Sequence, residues 1–145
     1  MDVKRIAIGT IVGGIVLEAL SYLVFDNMFA AYYAANVGDA TNALRSANLE
    51  WALVITNFAG ALLVTLGLEA QGGSPSIASG FVTGAVIGLL VWIQADFYYF
   101  GATNIWRFAI VIVDPLLSAV VTGIGGAVIA AVLARVPKAS TLARA

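Results

Sequence analysis

Four long apolar runs, at residues 6–25, 51–68, 77–100 and 108–134, decide which solvent this chain can fold in. A bilayer core roughly 30 Å thick needs about 20 apolar residues in a helix that rises about 1.5 Å per residue. Each run is of that length, the second only narrowly. A chain in lipid must satisfy its backbone amides internally, which leaves helices or a closed barrel. Strict alternation of apolar and polar residues is absent, so a barrel is not expected. With 61% hydrophobic and 10% charged residues in a chain of 145, nothing remains for a separate soluble domain. The expected fold is all-α: one transmembrane domain over residues 1–145, an integral membrane four-helix bundle with the lipid bilayer as its first partner.

The distribution of cations orients that bundle. The first run could pass for a secretory leader, but Glu18 interrupts it and no small-x-small cleavage site follows, so it is expected to stay as a span. Lys4 and Arg5 precede the first run and Arg135, Lys138 and Arg144 follow the fourth; the connections on the other side carry only Arg45 and Arg107. Five cations against two, with an even number of spans, predict cytoplasmic termini and a multi-pass protein of the cell (inner) membrane. The connection EAQGGSPS reads as a tight turn. Gly72 and Gly73 end one helix, and Ser74 caps the next with Pro75 at its first position. On the outer side, residues 27–36 set Met28, Phe29, Tyr32 and Tyr33 at helical spacing, as an extension of the first span or a short interfacial helix.

Depth turns scattered polar residues into a candidate site. Glu18 is seven residues from the outer end of its run, Asn57 six past Trp51, Asp96 four before Phe100 and Asp114 six past Phe108. At about 1.5 Å per residue all four fall roughly 6 to 11 Å below the outer ends of their helices. One polar side chain from each span therefore shares a layer, whereas the inner half reads as Gly, Ala, Ser, Thr and aliphatics. Trp51, Trp106 and the Tyr98-Tyr99 pair are expected above the layer, as an interfacial belt or as an aromatic wall. Arg107 is expected at the rim as the nearby positive charge. The candidate ligand-binding set is Glu18, Asn57, Trp92, Asp96, Trp106, Arg107 and Asp114, lining one cavity that opens outward.

Small residues predict where helices touch. Gly80, Gly84 and Gly88 recur every four residues and end at Trp92, a small-xxx-small seam that opens at a large aromatic. Gly9 and Gly13 in the first span, and Ser118 and Thr122 in the fourth, are its expected counterparts. Pro115 lacks an amide proton and frees the carbonyl of Val111 beside Asp114.

Several chemistries are excluded. Histidine and cysteine are both missing, which removes disulfides, thiol nucleophiles, iron-sulfur clusters and histidine-held haem or zinc. A metal would need oxygen ligands alone; no metal and no cofactor are expected. A net charge of -1 without a basic cluster argues against a nucleic-acid partner.

Asp96, Trp106 ten residues on and Asp114 eight further resemble the carboxy-terminal half of a family of small four-span bacterial membrane proteins of unknown function. In that family a Tyr-Asp-Leu-Thr-Asn stretch precedes a Trp-Pro and a Val-Asp in the last span. The likeness covers about residues 80–125, with a weaker echo near 20–33. Phe97, Tyr98 and Tyr99 stand in place of Leu-Thr-Asn, and Arg107 in place of the proline. The resemblance implies four spans and Asp96, Trp106 and Asp114 as a shared constellation; it brings no activity. GGIVLE in the first span is similar to the glycine pair and membrane-embedded glutamate of small multidrug-resistance exporters, which implies proton-coupled export of cations. The long outer loop and the longer third and fourth spans depart from that family.

The first expectation for function is a protein that binds or carries a small amphipathic molecule or lipid in the outer acidic and aromatic pocket. The alternatives are a membrane enzyme doing acid-base chemistry on an apolar substrate, an accessory subunit of a larger membrane assembly, and a proton-coupled small exporter; the expected protein partners are further copies of the chain in a homo-oligomer or the members of a larger membrane complex.

Overall fold

The computed structural model describes residues 2–40 and 45–138. It is all-helical, with α1 (Val3–Ser21) continuing through a π-helical segment (Tyr22–Met28), a short α2 (Ala30–Ala35), α3 (Glu50–Ala70), α4 (Ile77–Ala102) and α5 (Phe108–Leu133). Four of these stretches, Val3–Met28, Glu50–Ala70, Ile77–Ala102 and Phe108–Leu133, are long and apolar enough to cross a membrane. They match the four predicted runs and overrun most of their ends by a few residues. Part of the predicted polar return at 37–48, and Arg144, lie outside the described residues.

α5 is the central helix. It buries residues along its whole length, from Ile110 and Val111 to Ile129 and Leu133, whereas α4 buries only Gly80, Gly84, Gly88 and Asp96. Lipid tails are as apolar as leucine, so helices in a bilayer associate through close packing rather than through burial of oily surface. The α4–α5 pair has that geometry. A methyl group added at Gly80 or Gly84 would strike the backbone carbonyl of Gly126 or Thr122, and at Gly88 it would lie 2.7 Å from the Ser118 carbonyl. Gly9 and Gly13 of α1 do not join this seam. They face Thr65 and Ala61 of α3 and Ile129 of α5, so α1 packs into the groove between α3 and α5 and the expected three-way contact divides into two seams.

The turns follow from local chemistry. Gly72 and Gly73 take φ of 72° and 65°, left-handed values that a β-carbon disfavours, and they stop α3. The cap of α4 is Ser76 and not the predicted Ser74. The Ser76 hydroxyl accepts from the Ser79 amide while the Ser79 hydroxyl accepts from the Ser76 amide, a reciprocal box that needs a hydroxyl three residues on. Ser74 has Ile77 at that position. At the other end of the bundle, Val37 bridges Trp106, Gly38 N donates to the Ile105 carbonyl at 2.7 Å and Arg107 N to the Asn36 carbonyl at 3.1 Å. This backbone pairing ties the segment after α2 across the α4–α5 connection.

Candidate functional site

Asp96 and Asp114 meet because of how α4 and α5 are joined. Each lies six residues from the connection, counted from Ala102 and from Phe108, so two antiparallel helices in close contact bring them to the same depth, about 9 Å in. The glycine seam sets the helices close enough for the carboxyls to come within hydrogen-bonding reach of one another. Both are buried, Asp96 at 1% exposure and Asp114 at 7%. Two ionised carboxylates have no proton to share, and Asp96 Oδ2 is buried with no donor. Ser118, one turn along α5, faces Asp114 but its hydroxyl makes no well-formed hydrogen bond.

The lid over this pair comes from α2. The π-helical segment ends at Met28, and Phe29, at φ -109° and ψ 5°, breaks the helix before Ala30–Ala35. Asn27 Nδ2 holds the Tyr22 carbonyl at 2.7 Å within the widened turn. Tyr33 then donates its phenolic proton to Asp114 Oδ1 at 2.6 Å, and Tyr32 donates to the Ala109 carbonyl at 3.0 Å. Phe25 meets the Tyr33 ring edge-on at 5.9 Å. Tyr33 was legible only as one tyrosine of an interfacial helix. Its bond to Asp114 spans 81 residues and leaves no spacing signal.

Burial first, then the hydrogen bond to Asp114 and the neighbouring acidic charges, push the Tyr33 phenol well above the usual tyrosine range. A raised folded-state pKa stabilises the protein fully below about pH 10, where unfolded tyrosine is also neutral, and that contribution is lost as pH rises from there toward the folded value. At about pH 11, where free tyrosine is ionised, the near-ultraviolet phenolate absorbance of the folded protein should therefore match that of Tyr33→Phe. An excess of one phenolate in the wild type would show that Tyr33 is open to solvent. Tyr33→Phe should also cost about 2 kcal/mol in thermal or denaturant unfolding, the worth of a hydrogen bond to a charged acceptor.

The other two layer residues form a separate pair. Asn57 Nδ2 donates to Glu18 Oε2 at 2.7 Å and Ser21 Oγ donates to Asn57 Oδ1 at 3.1 Å, linking α1 to α3. No hydrogen bond among the described residues joins this group to Asp96 and Asp114. The four-way convergence resolves into two couples, because α1 packs with α3 while α4 packs with α5. Trp92 and Trp106 are half-buried, and Trp106 contributes its backbone to the bridge with Val37. Trp51 and Tyr98 are exposed at 65% and 68% and form no wall over the carboxyls. Arg107 is exposed and caps α5 with its backbone, and its side chain makes no ion pair with either aspartate. Among the described residues, no three acidic side chains converge as a metal site would require.

The opposite end of the bundle holds a buried charged pair that the reading of its half as Gly, Ala, Ser, Thr and aliphatics did not include. Arg5 Nε pairs with Glu69 Oε1 at 2.8 Å, both side chains buried, and Nη1 donates to the Leu133 carbonyl at 2.7 Å and to the Val136 carbonyl. This group clamps α1, α3 and the end of α5 together. Arg5 was counted only as a topology signal and Glu69 only as part of a turn. An acid just past the end of one apolar run and a cation just before the start of another, both at the same end of the bundle, was the available cue. Comparison with known proteins finds no matching family model, no similar curated protein and no similar solved structure.

Proposed function

We propose that this is a multi-pass protein of the cell membrane, both termini cytoplasmic, that uses Asp96 and Asp114 to bind the cationic end of a small amphipathic molecule or lipid. The membrane reading is supported by large apolar side chains exposed on every long helix, such as Ile15, Ile55, Leu90 and Leu116, far more than water tolerates over contiguous surface. Cysteines at Asp39 and Arg135 test the orientation: both are exposed and should label from opposite sides.

The observation that carries the ligand reading is a buried carboxyl pair without a cation. Charge in lipid costs about 2.5 to 3.5 kcal/mol per group on insertion scales, and no arginine or lysine among the described residues meets this pair. One proton shared between the carboxyls would satisfy the contact by itself. An ammonium group, with three donors and one positive charge, would satisfy it when bound. Cation and proton then compete for one place. The closed lid means that Tyr33 must move for the ligand to enter.

Decylammonium is a suitable probe for the protein in uncharged detergent. It should bind at least about tenfold more weakly, about 1.4 kcal/mol, to Asp114→Asn than to the wild type, and binding should release a proton. Decyl sulfate should show no such dependence. Equal binding of decylammonium to both forms would remove the carboxyl pair from the reading. The same shared-proton contact supports the acid-base enzyme as the second reading, since one carboxyl can donate while the other accepts.

A further inference from the structure

The Arg5 clamp leaves part of its guanidinium unused. A guanidinium has five N–H donors. Nε is taken by Glu69 and Nη1 by two carbonyls, while Nη2 is buried without an acceptor among the described residues. Arg5 is 2% exposed, so this is a fully desolvated cationic donor with nothing to bind, a costly arrangement unless something supplies the acceptor. Arg5 also lines a cleft of about 320 Å³ between the α3–α4 turn and the end of α5, together with Ser74, Gly73, Lys138, Val136 and Pro137. Lys138 is half-buried there and has no ion pair among the described residues.

We infer that this cleft is a binding site for a phosphate group, held by Arg5, Lys138 and the Ser74 hydroxyl. The charges support an anion. Glu69 already balances Arg5, which leaves Lys138 as net positive charge at the cleft, and no acidic residue lines it among the described residues. The chemistry supports phosphate, whose several acceptor oxygens can take donors from a guanidinium, an ammonium and a hydroxyl at once. The placement supports a lipid phosphate or a soluble one equally well. Basic pockets between helices at the cytoplasmic surface are where anionic headgroups settle; a free phosphate would enter from the same side. Val136 and Pro137 give the cleft an apolar flank against which a glycerol or acyl segment would lie. This site is at the far end of the bundle from Asp96 and Asp114 and stands or falls separately from them.

Removing Arg5 also unclamps three helices, so Lys138→Gln and Ser74→Ala carry the test. The full chain, stripped of lipid in uncharged detergent, is titrated with short-chain phosphatidylglycerol and, separately, with inorganic phosphate, and bound ligand is counted by native mass spectrometry and calorimetry. One saturable site is expected, weakened about fivefold by Lys138→Gln, the worth of one cation near an anionic lipid, and weakened measurably by Ser74→Ala. Arg135→Gln removes the same charge from an exposed position outside the cleft and should leave affinity unchanged. Saturation by phosphatidylglycerol alone identifies a lipid headgroup, and saturation by inorganic phosphate with the same variant pattern identifies a soluble phosphate. The proposal is overturned if Arg135→Gln weakens binding as much as Lys138→Gln, which would mean diffuse attraction to a basic surface, or if neither probe saturates.

Discussion

Gly84→Leu should abolish recovery of a monodisperse, folded protein from detergent, while Val82→Leu, two residues away, should leave yield and melting unchanged. The difference comes from what each side chain meets. Val82 is 59% exposed and a larger residue there extends outward, an effect expected within about 0.5 kcal/mol. A β-carbon at Gly84 would run into the Thr122 carbonyl and lie 3.1 Å from Gly123 Cα. Overpacked cores typically lose about 1 to 3 kcal/mol when neighbouring side chains can yield. Here the obstacle is backbone on a helix that is itself wedged against α1 and α3, so the loss should exceed about 3 kcal/mol. It would also separate Asp96 from Asp114, because the same seam sets their spacing. Size-exclusion profile, far-ultraviolet dichroism and melting temperature give the answer. A folded Gly84→Leu with wild-type melting would mean that α4 and α5 do not pack through this face.

Arg5→Ala and Glu69→Ala should each destabilise the bundle by about 3 to 5 kcal/mol, the usual result of stranding one partner of a buried ion pair. Arg5→Ala leaves the Glu69 carboxylate alone and takes the donor from the carbonyls of Leu133 and Val136. Glu69→Ala leaves a buried guanidinium held only by those two carbonyls. The double variant Arg5→Met with Glu69→Leu should recover much of the loss, since a buried pair is often no better than well-packed apolar side chains. Recovery should be incomplete, because the carbonyls still lack Arg5. Unfolding by sodium dodecyl sulfate or heat, read as a double-mutant cycle, separates these terms. If the single variants cost under 1 kcal/mol or simply add, the pair is not the clamp described.

Much of the architecture was legible because the controlling variable is one-dimensional. Four apolar runs give four long helices wherever the alternative is an unsatisfied backbone, and their ends fall where Gly72, Gly73 and the polar connections interrupt hydropathy. The pairing of Asp96 with Asp114 was also nearly readable, since equal distances from a short connection place two residues at equal depth in an antiparallel pair. Depth alone could not say which helices would be neighbours. It placed Glu18 and Asn57 in the same layer, but lateral arrangement depends on which small faces interlock, and Gly9 and Gly13 fit α3 and α5 rather than α4. Distance along the chain hid the rest. Tyr33 reaches Asp114 only because the helix breaks at Phe29 and a backbone bridge ties the segment after α2 across the α4–α5 connection. Arg5 reaches Glu69 only because α1 packs against α3 from Asn57 through to Glu69. Hydropathy and glycine spacing thus determined which segments are helices and which faces are narrow; the tertiary packing decided which charges lose water together, since desolvation depends on neighbours from all helices at once and is not a property of any one segment.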